Sequence, residues 1–163
     1  MQTFSDMRRN STHQEPVKLF FFSLLIVTGQ IMSSLYPWIP PFSGIFFCYV
    51  LLYFDEEGKL LSLSLAFLYL IFFDINRGFY IFSYVILFIL FYHFARYKIR
   101  DLTRCNNCIL AMYVIVGYIG HYLINCLLAY FDNMPFPYFS SHYFYYISID
   151  SLLSFLFFTR IPR

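Results

Sequence analysis

Asp150 is the ionisable residue of this sequence that most needs a chemical role, because it lies near the middle of the apolar segment Tyr143–Thr159. An unpaired carboxylate there is costly, so we expect Asp150 to be protonated, paired or facing a wet cavity. His121 and Asn125 lie four residues apart and therefore share one helix face. Two interpretations stay open: a ligand or proton pathway, or hydrogen bonds that hold helices together. The second is favoured, because no acid–base pattern repeats across several apolar segments.

A second group of polar residues forms the turn Asp74-Ile75-Asn76-Arg77-Gly78 between two apolar segments. Asp and Asn side chains commonly cap helices and turns, and Asp74 and Asn76 are suited to that role. Arg77 is expected to pair with Asp74 or to contact a partner outside the membrane. A capping turn and a binding role are equally open. Gln30, in the first apolar segment, is a further polar candidate.

Motifs of enzymes and metal centres are missing from this sequence. Cys105 and Cys108 have the CxxC spacing, but neither a second pair nor a nearby His completes a zinc site. There is no Ser/His/Asp order, HExxH motif, phosphate-binding Gly loop or carboxylate pair of the glycosyltransfer type. The sequence therefore predicts a protein that is not an enzyme and has no catalytic residue, metal or cofactor.

The composition is that of a membrane protein. Hydrophobic residues make up 60% of the 163 residues and charged residues 12%, about half the charged fraction of a soluble domain. Too little polar surface remains to cover a soluble monomer, and the hydrophobicity excludes a disordered chain. The net charge of +2 is too small to indicate nucleic-acid binding.

Six apolar segments define the elements that must position these residues. They predict an all-α integral membrane protein with a single bundle of six (five to six) transmembrane helices over residues 19–159. Residues 1–18 and 160–163 are expected to be cytoplasmic tails. A cleaved signal peptide is the alternative for the first segment, but Pro-rich sequence follows it rather than a small-x-small site. The segments are Leu19–Tyr36, Phe42–Phe54, Leu60–Phe73, Phe79–Ala95, Ile109–Phe131 and Tyr143–Thr159.

The segments 42–54 and 60–73 are short for spanning helices, at about 20 Å each. Either both span, or they form a hairpin that enters the membrane and returns. The hairpin would bury the charged linker 55–59 in lipid, at a cost of about 2.5–3.5 kcal/mol per charge. Two short spans are therefore favoured.

The basic residues predict the orientation. With a cytoplasmic N-terminus, every one of the 11 Lys and Arg residues except Arg77 lies on the cytoplasmic side, which follows the positive-inside rule. Both termini are then cytoplasmic. A cytoplasmic basic patch is expected to contact anionic lipid, at about 1 kcal/mol per charge, or to dock a partner. The patch comprises Arg96, Lys98, Arg100 and Arg104.

Small residues indicate where helices approach closely in a membrane. Gly29 and Ser33 are four residues apart on the first predicted helix. Gly117 and Gly120 are three residues apart on the fifth. Both pairs predict close helix packing and carry no chemistry.

The order of these features resembles the bacterial rod-shape-determining protein MreD family, from about Leu19 to Arg163. The polar turn 74–78 and the mid-span Asp150 are central to the resemblance. A long helix that leads into a basic cytoplasmic loop is also shared. The residues that carry the likeness are Gln30-Ile31, Pro37, Tyr49-Val50-Leu51-Leu52-Tyr53, Asp74–Gly78, Phe79–Arg104, Asp150, Arg160 and Arg163.

The resemblance implies a non-enzymatic scaffold of the cell-wall elongation machinery in the bacterial inner membrane, involved in maintaining rod cell shape. Its implied partners are membrane lipid and MreC-like, MreB-like and RodA/transpeptidase-type proteins. The family fold is also similar to the six-helix substrate-binding subunit of energy-coupling-factor vitamin transporters. The alternative is therefore a small-molecule-binding membrane subunit, with a cavity lined by Asp150, His121 and aromatic residues.

Overall fold

A computed structural model describes residues 23–24, 26–55, 60–94, 98 and 106–158. In this part of the chain the fold is all-helical, with six helices and no strand, as predicted. The fifth helix contains a π-helical turn, Val116–Gly120. The helices are α1 (Ile26–Leu35), α2 (Ser43–Tyr53), α3 (Leu60–Arg77), α4 (Ser83–Phe94), α5 (Asn106–Ile115, the π turn and His121–Phe131) and α6 (His142–Phe158).

Helix α3 runs one turn further than predicted, through the polar stretch that was expected to be a turn. The helix ends at Gly78, whose φ of 70° is left-handed. The N–H groups of Phe79 and Gly78 donate to the carbonyl oxygens of Asp74 (2.9 Å) and Ile75 (3.3 Å). These two bonds form a Schellman motif, in which glycine adopts the positive φ without strain. Asp74 is therefore a buried helix residue rather than part of the turn.

The core is built around α2, which packs against α3, α4, α5 and α6. Its residues Phe47, Val50 and Leu51 are completely buried. Helix α5 comes close to it at Gly117, where an added Cβ would lie 3.1 Å from the Phe47 ring. Gly120 similarly faces Leu87 of α4, whereas an added Cβ on Gly29 would meet nothing within 4 Å. The prediction of close packing is therefore met on α5 and is wrong for Gly29 among the described residues.

Two helices are long and apolar enough to cross a membrane: α3 (Leu60–Arg77) and α5 over Cys108–Phe131. Such helices point to membrane association. Helices α2 and α4 have 11 and 12 residues, or about 16–18 Å at the rise of an α-helix. The hydrocarbon core is about 30 Å thick, so α2 and α4 are too short to cross it unaided. Helix length in the described residues therefore does not support six spans.

This bundle exposes many large apolar side chains on its surface and holds polar side chains within its apolar interior. Large apolar side chains such as Leu68, Ile89 and Leu156 are 58–66% exposed. Polar side chains lie inside, among them two carboxylates with no exposed surface. The buried polar residues are Gln30, Ser33, Ser43, Asp74, Ser83, His121, Asn125, Asp150 and Ser154.

Candidate functional site

Most hydrogen bonds of the buried polar residues lie towards one end of the bundle. At this end α1, α3 and α5 finish and α2, α4 and α6 begin. We call it the polar end. There the Arg77 Nη2 donates to the Ser33 carbonyl oxygen (2.7 Å), and the Tyr146 hydroxyl donates to the Pro37 carbonyl oxygen (2.6 Å). At the opposite end, the Tyr92 hydroxyl donates to the Asp55 carboxylate. These bonds place the ends of α1 and α3 at one end of the bundle and the ends of α2 and α4 at the other, so helices consecutive in the chain run antiparallel.

The first buried cluster joins α3 to α5. The His121 Nε2 lies 2.8 Å from Asp74 Oδ1. The Asn125 Nδ2 lies 3.1 Å from the same His121 Nε2 and 2.9 Å from the His121 carbonyl oxygen. One ring nitrogen cannot both donate and accept, so a proton on Nε2 that is donated to Asp74 leaves Asn125 bonded to the carbonyl. The Asn125 Oδ1 in turn accepts the N–H of Tyr80 (2.9 Å), which precedes α4.

The imidazole ring of His121 is enclosed by aromatic rings. Tyr84 stacks on it, with ring centroids 4.0 Å apart and planes 15° apart. The rings of Phe79 and Phe73 contact it edge-on, at 4.8 and 5.7 Å. His121 is 1% exposed and Asp74 is completely buried. The arrangement holds the histidine in one orientation, between its carboxylate partner and a tyrosine face.

The second buried cluster joins α6 to the start of α2. The Asp150 Oδ2 accepts the N–H of Gly44 (3.1 Å) and the hydroxyl of Tyr118 (2.8 Å). Gly44 lies in the first turn of α2, and Phe42, the residue at the cap position, provides no side-chain cap. Helix N-termini leave unbonded N–H groups and carry partial positive charge. Asp150 therefore supplies, from 106 residues away, the cap that α2 lacks.

Gly44 is what allows Asp150 to come this close. A Cβ on Gly44 would lie 2.7 Å from Tyr118 Cε2, 2.9 Å from Val114 Cγ1 and 3.0 Å from Asp150 Oδ2. We expect Gly44→Ala to lower the free energy of unfolding by about 1–3 kcal/mol, the usual cost of overpacking. Thermal unfolding of purified protein in detergent measures the loss.

Gly29→Ala is the matched control for that prediction, because no described residue lies within 4 Å of the added Cβ. Alanine is the better helix former, so this change should leave stability unchanged or raise it by up to about 1 kcal/mol. Equal melting temperatures for the two variants would contradict the close approach at Gly44.

A third set of polar contacts ties α1 to α3. The Tyr69 hydroxyl contacts Gln30 Oε1 (2.8 Å) and the carbonyl oxygen of Pro41. Gln30 is completely buried, and its Nε2 has no hydrogen-bond partner among the described residues. Among the described residues Arg77 forms no ion pair with Asp74, whose Oδ1 is bonded to His121. Arg77 instead bonds to the backbone of α1 at Ser33.

The structure therefore brings Asp74, His121 and Asn125 into one cluster and places Asp150 in another. Asn76 is exposed, as is Gly78, which ends α3. Lys98 and Cys108 are exposed. Within the described residues, no group of three or more His, Cys, Asp or Glu residues could hold a metal ion. The remaining predicted positions lie outside the described residues: Arg96, Arg100, Arg104, Cys105 and the tails 1–18 and 160–163.

A cavity of about 490 Å³ opens at the polar end. Its wall is formed by the loop before α2, the end of α3, Tyr118 of α5 and the start of α6. The side chains that line it include Arg77, His142, Tyr143 and Tyr146. Asp150 and His121 are not in this lining, so this cavity differs in those two residues from the ligand cavity that the sequence predicts. Both are sealed inside the bundle by the contacts described above.

Comparison with known proteins gives no match: no family model, no curated protein and no solved structure matches this chain. The resemblance to MreD therefore stays a prediction from sequence features. The geometry of the polar end is the basis on which a function can be proposed.

Sequence reasoning missed four residues that complete these clusters: Gly44, Tyr69, Tyr84 and Tyr118. Gly44 could have been noticed, since it follows Pro40 and Pro41 at the expected start of a helix. The tyrosines carried no such signal, because 16 tyrosines occur along the chain. A π turn contains Tyr118 and directly precedes His121. Such turns often mark functional sites, but no sequence motif predicts this one.

Proposed function

We propose that this protein is a non-enzymatic scaffold of the cell-wall elongation machinery in the bacterial inner membrane, where it helps to maintain rod cell shape. One observation carries the structural side of the proposal. The buried side chains that chemistry would need, those of Asp74, His121, Asn125 and Asp150, each form a hydrogen bond to another helix or to a loop that precedes one, although Asp150 Oδ1 has no partner among the described residues. Such bonds hold a bundle together. The cell-wall role itself rests on the resemblance to MreD, with MreC-like, MreB-like and RodA/transpeptidase-type partners.

We further propose that all six helices are embedded in the membrane, with both termini in the cytoplasm. The many large apolar side chains that are exposed support this, because extensive exposed apolar surface marks a membrane or protein contact. The buried polar residues support it as well, since polar groups in membrane bundles face the interior. The short helices α2 and α4 would be accommodated by local thinning of the bilayer or by their flanking residues. In this orientation the polar end faces outwards.

The proposed topology makes a direct prediction for reporter fusions. A reporter that is active only in the cytoplasm should give signal when fused after Arg163. A reporter that is active only in the periplasm should give signal when inserted in the loop between α5 and α6, after Met134, which is 62% exposed. Periplasmic signal from the C-terminal fusion would contradict the six-span arrangement.

The cell-shape role is tested by depletion in the rod-shaped host. We expect depleted cells to become round, because wall insertion would lose its organisation along the cell length. Restoration of rods by the plasmid-borne wild-type gene is the control. Crosslinking in membranes, followed by identification of the bound proteins, should recover MreC-like or RodA-type partners. Unchanged cell width and wall insertion after depletion would exclude the role.

The second candidate function is a small-molecule (vitamin-type) binding subunit of a transporter. The cavity of about 490 Å³ at the polar end favours it, because drug-sized ligands occupy cavities of about 300–1,000 Å³. Thermal unfolding in the presence of a panel of vitamins is the test. A rise in melting temperature with one compound would support this candidate, and no rise with any compound would remove it.

A further inference from the structure

We propose that the cavity at the polar end binds a small anion joined to an apolar body, and that Arg77 holds the carboxylate or phosphate group. This inference goes beyond the scaffold role and does not depend on it. Binding is measured on purified protein, whereas the scaffold role is measured in cells, so the failure of one leaves the other standing.

The charged residues of the lining indicate whether the ligand carries negative or positive charge. Among the described residues, the lining contains two that can carry positive charge, Arg77 and His142, and no Asp or Glu. The two buried carboxylates lie outside this lining: Asp74 is bonded to His121, and Asp150 accepts from Gly44 of α2 through Oδ2. An anion in the cavity would therefore meet positive charge without a competing carboxylate in the wall.

The Arg77 side chain is anchored by one hydrogen bond and has an N–H donor without a partner among the described residues. Its Nη2 donates to the Ser33 carbonyl oxygen at 2.7 Å, which anchors the guanidinium to α1. Its Nε–H is buried and has no partner among the described residues, and its side chain forms no ion pair within them. A guanidinium has five N–H donors in a planar fork that matches carboxylate and phosphate oxygens. A positioned arginine with unused donors is suited to bind such a group.

Apart from Ser140, the rest of the described wall is apolar and aromatic. Phe73, Phe79 and Tyr118 line the inner side, and Tyr143 and Tyr146 line the side formed by α6. The Tyr146 hydroxyl donates to the Pro37 carbonyl oxygen at 2.6 Å, so this wall is tied to the loop before α2. Rings fixed in this way offer a preformed surface for the apolar body of a ligand, which lowers the entropic cost of binding.

Trp38 provides a reporter of binding. It is the single tryptophan of the chain, and it follows Pro37, which lines the cavity. The purified full-length chain in an uncharged detergent is titrated with 4-phenylbutyrate, with phenyl phosphate and with the uncharged 4-phenylbutyramide. We expect a saturable change in Trp38 fluorescence with both anions. Binding of the amide should be weaker by about tenfold or more, because a hydrogen bond to a charged group contributes about 1.5–3 kcal/mol.

Substitution of Arg77 tests its assigned role. Arg77→Gln should weaken binding of both anions by about tenfold or more and leave the amide unchanged. Arg77→Lys should retain part of the affinity, because the charge remains while the planar fork is lost. Thermal unfolding of each variant separates a loss of binding from a loss of structure, since Arg77 also anchors α1.

A matched pair of serines tests the site without altering Arg77. Ser140 lines the cavity, and its hydroxyl accepts the His142 N–H at 3.3 Å, an acceptor role that aspartate keeps. Ser140→Asp should weaken both anions by about tenfold, through repulsion at close range. Its neighbour Ser141 is exposed and does not line the cavity, so Ser141→Asp at physiological salt should change affinity by less than about threefold.

The source of the anion is assigned by competition in lipid nanodiscs. If phosphatidylglycerol displaces 4-phenylbutyrate and phosphatidylcholine does not, the site binds an anionic lipid headgroup. If neither lipid displaces it, the site binds a soluble anion. Either result upholds the anion site. Equal affinity for the amide and the anions, equal effects of the two aspartate variants, or no saturable response to any probe would overturn it.

Discussion

Replacing His121 with alanine is expected to lower the free energy of unfolding by about 3 kcal/mol or more, the cost of leaving a buried carboxylate without its hydrogen-bond partner. Asp74 has no exposed surface, and its Oδ1 lies 2.8 Å from His121 Nε2. Its remaining contact, from the Tyr84 N–H to Oδ2, is long at 3.5 Å and cannot replace the lost bond. Loss of the imidazole also removes the stacked partner of Tyr84. Thermal or denaturant unfolding in detergent measures the effect.

His93→Ala is the matched control for His121→Ala, because His93 is an exposed histidine on α4. Its effect should stay within about 0.5 kcal/mol, as for most surface changes. The double variant Asp74→Asn/His121→Ala should lose less than the sum of the two single variants, because the orphaned carboxylate is gone. Strictly additive losses would contradict direct coupling between Asp74 and His121.

Asp150→Ala is expected to cost about 2–4 kcal/mol and to lower the amount of protein in the membrane. The substitution removes the cap of α2, worth about 0.5–2 kcal/mol, and leaves the buried Tyr118 hydroxyl unbonded, at about 1–3 kcal/mol. Asp150→Asn should lose less, because its amide oxygen still accepts the Gly44 N–H. Thermal unfolding in detergent and quantitation of the protein in membrane fractions measure the two effects.

Ser148→Ala on the same helix is the control, since Ser148 is exposed and its hydroxyl, within the part of the chain that the structure describes, bonds to the carbonyl oxygen of Phe144 in its own helix. It should leave both measurements unchanged. Wild-type stability of Asp150→Ala together with lost complementation would show that Asp150 takes part in function rather than in assembly.

The two buried carboxylates share a physical role. Asp150 accepts an N–H in the first turn of α2. Asp74 Oδ2 lies 3.5 Å from the backbone nitrogen of Tyr84, in the first turn of α4. In lipid, water cannot satisfy the free N–H groups of a helix start, so each unsatisfied group costs several kcal/mol. Both short helices thus begin against a carboxylate from a neighbouring helix. This explains why acidic residues are retained inside a bundle made largely of Phe, Tyr and Leu.

The sequence by itself determined the helical class and the residues that needed a buried partner. Long apolar stretches with few charges favour helices, which satisfy their own backbone groups, and no strand occurs among the described residues. Asp150, His121 and Asn125 could be selected because polar groups in apolar segments are costly wherever they lie. These properties depend on composition and local spacing, which a single sequence contains.

Only the tertiary structure decided which groups meet. Asp150 bonds to Gly44 across 106 residues, and Asp74 bonds to His121 across 47. Local spacing suggested Arg77 as the partner of Asp74, but the extra turn of α3 buries Asp74 beside α5 and leaves Arg77 on the wall of the cavity. Helix packing determines such pairings, because each carboxylate bonds to the donors that the folded bundle brings within about 3 Å. The spacing of residues along the chain does not predict which donors these are.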